Sequence, residues 1–348
     1  MFRLLGPALF IVATGLIVLS AISARLFWLQ LLWTALGLAV VWFFWQVDWR
    51  AVLNNRYLIW GIYLLAVGLM ALAFFTSPLI RNTRSWIVVG PLTFQPVELA
   101  KIGLILLYAH YFSRRHLAIA RWSNIFTSFF LFAIPAGITL FLPDMGSGLI
   151  LFGIWFGFLL ISGLPRNRLA VALAVFALAA AIGWQFVLAD YQKERILGLF
   201  YPEENTLTVN YSVIQSKIAI GSAGFWGKGY GQGTQTQLGF LTEPANDFIL
   251  AALIEEWGIL AGLATIGAFL VLCFRILRIG YLGQRNFEKF LCLGVAIVMG
   301  LQFAVNAGST LGLLPVIGVT FPFLSYGGSS LLTDFFLLAI IISIAKRT

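Results

Sequence analysis

The sequence predicts an all-α, polytopic membrane protein with about ten transmembrane helices, and three observations carry that expectation. Hydrophobic residues make up 61% of the 348 residues and charged residues only 10%, more apolar surface than a soluble domain of this length can hide. The apolar residues fall in repeated runs close to the about 20 residues that cross a bilayer as a helix. The basic residues gather on alternate connections between those runs, as the positive-inside rule requires. Residues 1–348 are expected to form one membrane domain. Within it, a long extracytoplasmic loop, 190–246, precedes the eighth helix, and a broken, re-entrant segment precedes the tenth.

In chain order the expected spans are Leu5–Ala24, Leu29–Trp45, Leu58–Phe75, Val97–Phe112, Ile125–Leu142, Leu149–Leu164, Leu169–Ala189, Asp247–Phe274, Lys289–Val305 and Leu331–Ala345. The first has no clean small-residue cleavage site, so it is expected to stay as a span. The fourth and sixth are short and are expected to begin as buried amphipathic ends. The segment Gly312–Tyr326 is apolar, but Pro315 and Pro322 interrupt it. Such backbone is tolerated at membrane depth only where protein or water covers it.

Charge sets the expected orientation. With the N-terminus inside, the cytoplasmic connections collect Arg3, Arg50, Arg56, Arg114, Arg115, Arg121, Arg166, Arg168, Arg275, Arg278, Arg285, Lys289, Lys346 and Arg347. The acids Glu98, Asp144, Asp190, Glu194, Glu203, Glu204, Glu243, Asp247 and Asp334 fall on the outer side or near outer helix ends. The net charge of +9 is accounted for by cytoplasmic Arg and anionic lipid and calls for no nucleic-acid partner. The connection 190–246 is far longer than ordinary loops, which marks it as functional.

The stretch Gly221–Gly258 is where chemistry is expected. It opens with six glycines (Gly221, Gly224, Gly227, Gly229, Gly231, Gly233), passes Gln235, Gln237, Glu243 and Pro244, and reaches Asn246-Asp247 at the start of a span that still carries Glu255 and Glu256. The glycines lack Walker-loop spacing. They read either as tight turns or as backbone approaching a ligand closely. Asp247 reads either as a helix-start acid beside exposed N–H groups or as a catalytic carboxylate. Glu255 and Glu256 are costly inside a span. On a continuous helix Glu255 lies about 80° round from Asp247 and Glu256 nearly opposite, so at most one is expected to share its cavity and the other to pair with another helix. Glu98 and Lys101 are spaced i,i+3 and read as a structural ion pair or as an anion site around Lys101. Both histidines, His110 and His116, fall on the inner side, so a proton acceptor outside must be a carboxylate. No spacing suggests zinc. Cys273 and Cys292 sit in apolar helix and form no disulfide framework. Arg195, Lys217 and Lys228 share the long outer connection and could contact phosphate. Ser325 to Ser330 reads as a turn and the N-terminus of the last helix, which packs or binds an anion.

Four segments carry a family resemblance: Arg84–Lys101 (RSWIVVGPLTFQPVELAK), Leu142–Gly148 (LPDMGSG), Gly221–Ile249, and Gly312–Ser330 (GLLPVIGVTFPFLSYGGSS). In this order, and over essentially the whole chain, they resemble the SEDS proteins (shape, elongation, division and sporulation). Pro315 to Val319 is closer to the elongation branch than to the division branch. The chain departs from the family at Thr242-Glu243-Pro244-Ala245-Asn246-Asp247-Phe248, where a His-Thr often precedes the acid; the acid itself is kept.

The resemblance implies a peptidoglycan glycosyltransferase of the bacterial cytoplasmic membrane, with both termini cytoplasmic. It would polymerise lipid II on the outer face beside a class B penicillin-binding protein and other elongation-complex membrane proteins. It assigns Asp247 as the base, or as the acid holding a divalent cation such as Mg or Mn. Candidates for substrate contact are Lys101, Glu98, Arg84, Asp144, Arg195, Lys217, Lys228, Gln235, Gln237, Glu243, Ser325 and Ser329. A lipid II flippase and a non-catalytic scaffold remain as alternatives.

Overall fold

In the computed structural model the described residues are 2–46, 55–78, 83–90, 92–115, 122–163, 165–186, 188–201 and 210–346. The expectations that touched Arg50, His116, Arg121, Glu203, Glu204 and Arg347 lie outside them. Each expected span has its helix: α1 (Phe2–Ile22), α2 (Ala24–Gln46), α3 (Arg56–Thr76), α4 (Pro96–Arg115), α5 (Trp122–Phe141), α6 (Met145–Ile161), α7 (Arg166–Phe186), α11 (Ile249–Leu282), α12 (Asn286–Thr310) and α13 (Gly328–Ala345). Eight of the described helices are long and apolar enough to cross a membrane, and α6 is a shorter apolar helix. The chain is a multi-pass, all-α membrane protein.

The long connection is not an open loop. It folds into α8 (Asp190–Phe200), α9 (Tyr211–Gly221) and the one-turn α10 (Thr234–Gln237). A hairpin that the sequence did not predict, β1 (Ile87–Val89) and β2 (Leu92–Phe94), pairs antiparallel ahead of α4, with Val88 opposite Thr93. Its two strands straddle Gly90 at φ 61°, the left-handed turn position that glycine fills without steric cost.

Packing follows side-chain volume. α13 lies on α2, α3 on α4, α1 on α11, and α12 on α11 and α4. Gly37 of α2 seats the Phe335 ring, and Gly294 of α12 lies within van der Waals contact of Phe158 and Ile105, so a Cβ at either would collide. α4 was expected to begin as a buried amphipathic end. It is instead buried along most of its length, from Val97 to Phe112.

The eighth span departs from expectation. Gly258 interrupts α11 with φ 84° and ψ 171°, so the helix is two pieces, Ile249–Trp257 and Ile259–Leu282. An unbroken helix of 34 residues would be about 51 Å long, against about 30 Å of hydrocarbon. The Gly-rich stretch repairs the break with its own backbone. Lys228 N donates to Glu255 O (2.9 Å) and Gly229 N to Glu256 O (3.0 Å), while Ile259 N donates to Gly224 O (3.1 Å) and Leu260 N to Phe225 O (3.4 Å). Two carbonyls and two N–H groups that the helix abandons are thereby satisfied, which membrane-embedded backbone demands. A Cβ at Gly227 would collide with the Glu256 carbonyl, and one at Gly258 with the Phe225 carbonyl. At these two positions glycine is required for the close approach of backbone to backbone.

Candidate active site

Successive spans alternate in direction, so the C-terminal ends of α1, α5 and α12 and the N-terminal ends of α2, α4, α6, α11 and α13 share one end of the bundle. Asp247 lies there, half-buried, in the turn Pro244–Phe248 before α11. Phe248, not Asn246 or Asp247, is the helix cap, and it makes no side-chain capping bond. The rotation expected between Asp247 and the two glutamates assumed continuous helix and does not hold.

The Asp247 turn is held through its main chain. Asn306 Nδ2 donates to Asp247 O (3.1 Å) and also to Val319 O (2.9 Å). Thr310 Oγ1 lies 3.4 Å from the same Asp247 carbonyl. Ser325 Oγ donates to Asn246 O (2.7 Å), and Tyr326 N to Ala245 O (2.8 Å). Asn246 Nδ2 in turn donates to Glu243 Oε2 (2.9 Å), and Glu243 itself sits at φ 48°. The clamp therefore joins the end of α12, the re-entrant segment and the family-motif turn around one carboxylate.

The re-entrant segment is fixed in the same manner. Gln30 of α2 donates to Ser325 O (3.0 Å) and lies with its Oε1 3.4 Å from Gly327 N. Phe321 N donates to Ser325 Oγ (2.9 Å), and Phe323 N to Asp334 Oδ2 of α13 (3.1 Å). Phe323 holds φ 64°, a backbone region sparsely used by bulky residues, and the surrounding bonds over-determine it. Gln30, Asn306, Thr310 and Asp334 were not picked out as site residues. Their signal was available, because Gln30, Asn306 and Asp334 are polar residues inside apolar runs, which face protein or function and not lipid.

The other candidates divide. Lys101 Nζ lies 2.7 Å from Glu98 Oε2, both side chains nearly inaccessible. Asp334 is within electrostatic reach of the pair. Lys228 Nζ lies 2.8 Å from Glu255 Oε1. Glu255 also accepts from Gln235 N (2.8 Å), Thr236 N (3.0 Å) and Thr236 Oγ1 (2.8 Å), while Gln237 Nε2 donates to Glu256 (3.1 Å) and to Ala21 O of α1 (3.2 Å). Both glutamates thus serve the Gly-rich stretch and α10; neither pairs with another span as expected. Gln235, Gln237 and Lys228 belong to this latch. Asp144 caps α6, accepting from Ser147 N (3.0 Å) and Oγ (2.8 Å) and from Gln95 Nε2 (3.0 Å). Arg84 is exposed ahead of the hairpin. Ser329 is buried at the start of α13, and its Oγ has no hydrogen-bond partner. Arg195 and Lys217 stand together on one cleft of about 420 Å³.

Breaking a buried ion pair by removing one partner costs about 3–5 kcal/mol, because the other charge is stranded. Lys101→Ala is therefore expected to lower the melting temperature in detergent as well as substrate use. A variant that melts like the wild type while losing only substrate affinity would make Lys101 a ligand contact.

A ten-helix membrane bundle with a carboxylate clamped at one end, beside a broken segment, defines a class: polytopic membrane proteins with a polar centre at one end of the bundle. Residues 4–348 match the FtsW/RodA/SpoVE family model, described as cell cycle protein, and the chain belongs to that family. It is 34% identical over 271 residues to the peptidoglycan glycosyltransferase MrdB of Escherichia coli, covering 78% of this chain and 73% of that protein. The Helicobacter pylori MrdB is 34% identical over 326 residues, covering 92% and 83%. Among solved structures, a chain from a peptidoglycan synthase complex that coordinates polymerization and crosslinking superposes with a TM-score of 0.85 at 30% identity, covering 99% of this chain and 97% of that one. The rod shape determining protein RodA of Thermus thermophilus gives 0.74 at 26% identity, with 99% and 96% covered.

Proposed function

We propose that this chain is a peptidoglycan glycosyltransferase of cell elongation, polymerising lipid II on the outer face of the cytoplasmic membrane. The observation that carries this reading is the clamp on Asp247, which fixes one carboxylate at the end of the bundle where the re-entrant segment and α12 meet. The names of the relatives point the same way. In the proposed step a sugar hydroxyl attacks the anomeric carbon of a second, diphosphate-linked sugar. The new C–O bond forms as the bond to the diphosphate breaks, the proton passes to Asp247, and the prenyl diphosphate departs. In-line displacement inverts the anomeric centre. The gathering of polar side chains at one end of the bundle favours this reading over a flippase, which needs a polar path open in turn to both sides.

A divalent cation fits in one form only. Among the described residues no group of three or more His, Cys, Asp or Glu could cage an ion. Asp247 would share the ion with substrate phosphates, the manner in which Mg²⁺ commonly binds, and the ion would neutralise charge on the leaving diphosphate. A class B penicillin-binding protein is the proposed partner. The charge on the connections supports cytoplasmic termini.

The test is purified protein given lipid II, with product length read on a gel and impermeant labels applied to the 190–246 connection in intact cells. Glycan strands and outside labelling are expected. A cation at the site makes the rate collapse on chelation and return with Mg²⁺ or Mn²⁺. A base alone ignores the chelator and titrates with pH. Absence of polymer from folded protein would overturn the assignment.

A further inference from the structure

Of Lys101, Arg195, Lys217 and Lys228, the cations considered for an anion site or for phosphate contact, two are neutralised within the protein: Lys101 by Glu98 and Lys228 by Glu255. The remaining two converge. Arg195 on α8 and Lys217 on α9 line the same cleft of about 420 Å³, together with Tyr191, Asn210 and Ser212, and no described acid lines it. Arg195 spends one guanidinium N–H on Val316 O (3.0 Å) and rests on the Tyr191 ring at 5.8 Å, which fixes the group while leaving further donors. Lys217 reaches over Gly312, where φ is 70° and a Cβ would lie 2.7 Å from its Nζ. Any other residue at 312 would both strain the backbone and displace the ammonium. Leu199, Val213, Leu314 and Val316 give the cleft an apolar lining beside the two cations.

This cleft is built on the frame that holds Asp247. Ser216, one residue before Lys217, donates through Oγ to Thr310 O (2.8 Å), and Thr310 Oγ1 is the group beside the Asp247 carbonyl. Ser212 Oγ meets Thr242 Oγ1 at 2.5 Å, just before the Asp247 turn. Two cations on separate helices, beside an apolar wall, suit an oxyanion with a hydrocarbon attachment; a fork and a point charge together match phosphate oxygens. We propose that the Arg195–Lys217 cleft seats the diphosphate of a prenyl-linked sugar substrate, held by the same frame that fixes Asp247. This rests on the glycosyltransferase reading and adds the place where the leaving group is held.

The experiment uses the full chain in nanodiscs titrated with undecaprenyl diphosphate. Lys217→Gln and Arg195→Gln are each expected to weaken binding about tenfold, the loss of one charge-assisted hydrogen bond to phosphate, and the double variant further. Lys217→Arg is expected to bind like the wild type. So is Lys193→Gln, which removes the same charge from α8 outside the cleft. Wild-type preference for the diphosphate over undecaprenyl monophosphate should disappear in the double variant. Asp247→Asn is expected to make no polymer and, with divalent cations chelated, to bind the diphosphate as the wild type does under the same conditions. Unchanged binding in both Gln variants of a protein that still polymerises lipid II would overturn the cleft and leave the glycosyltransferase reading intact. Binding that depends on Arg195 and Lys217, in a wild-type protein that makes no polymer, would do the reverse. Competition by a soluble stem peptide, or equal competition by phosphatidylglycerol, would assign the cleft to another anion and overturn the proposal.

Discussion

Asp247→Asn is expected to yield folded protein that makes no measurable glycan from lipid II. The substitution keeps side-chain size and leaves the clamp untouched, because Asn306, Thr310, Ser325 and Tyr326 all bond to main-chain atoms of the turn. What it removes is the negative charge. Loss of a general base alone costs about 10²–10⁴ in rate, and no helix cap is lost with it, because Phe248 and not Asp247 caps α11. The melting temperature should therefore stay within a degree or two of the wild type, on the order of what a few tenths of a kcal/mol would shift. Near-normal polymerisation by the Asn variant would show that Asp247 is structural and send the search for the base to Glu243 on the same turn. Equal loss of melting temperature and activity would mean that the charge supports the turn and not the reaction.

The second large effect is expected at Glu255, for the opposite reason. Its side chain is fully buried and gathers Lys228, the Gln235 and Thr236 N–H groups and the Thr236 hydroxyl. Glu255→Ala strands an ammonium and three other donors together, so about 3–5 kcal/mol of stability should go, read as a large fall in melting temperature. Adding Lys228→Ala should restore part of it, because residues of one network do not add. Strict additivity in that double-mutant cycle would mean the two side chains do not act on each other. Activity should fall with stability, since the latch holds the half-helix that follows the Asp247 turn.

Ten spans and their order were legible because hydrophobic length is a direct reading of bilayer thickness. The Asp247 turn, the ion pair of Glu98 with Lys101 and the helix start after Ser325 were legible from spacing and from motif resemblance. Three things were not. The break at Gly258 was hidden because mostly apolar, helix-forming sequence continues on both sides of it, and one glycine in such a run looks tolerable. Its partner, the Phe225–Gly229 backbone, is remote in sequence. The fate of Lys228 was hidden for the same reason: its carboxylate lies 27 residues on. Gln30, Asn306 and Asp334 were visible as polar residues in spans, but nothing local tells which distant carbonyl or N–H each one serves. Sequence pattern shows that a polar group must be satisfied; only the fold shows by what.

The interruption of α11 also sets a height. Arg275 and Arg278 mark the basic end of α11, so at about 1.5 Å per residue Ile259–Phe274 supplies roughly 24 Å of the about 30 Å of hydrocarbon, and Ile249–Trp257 adds roughly 14 Å on the other side of the break. Gly258 then lies a little inside the far edge of the hydrocarbon, and the exposed Trp226 and Trp257 nearby are side chains that settle at a membrane interface. On the glycosyltransferase reading proposed above, the short piece Ile249–Trp257 would carry Asp247 to the level of the head of a lipid whose tail stays in the leaflet, so that a growing polar strand would not have to dip into oil to be extended.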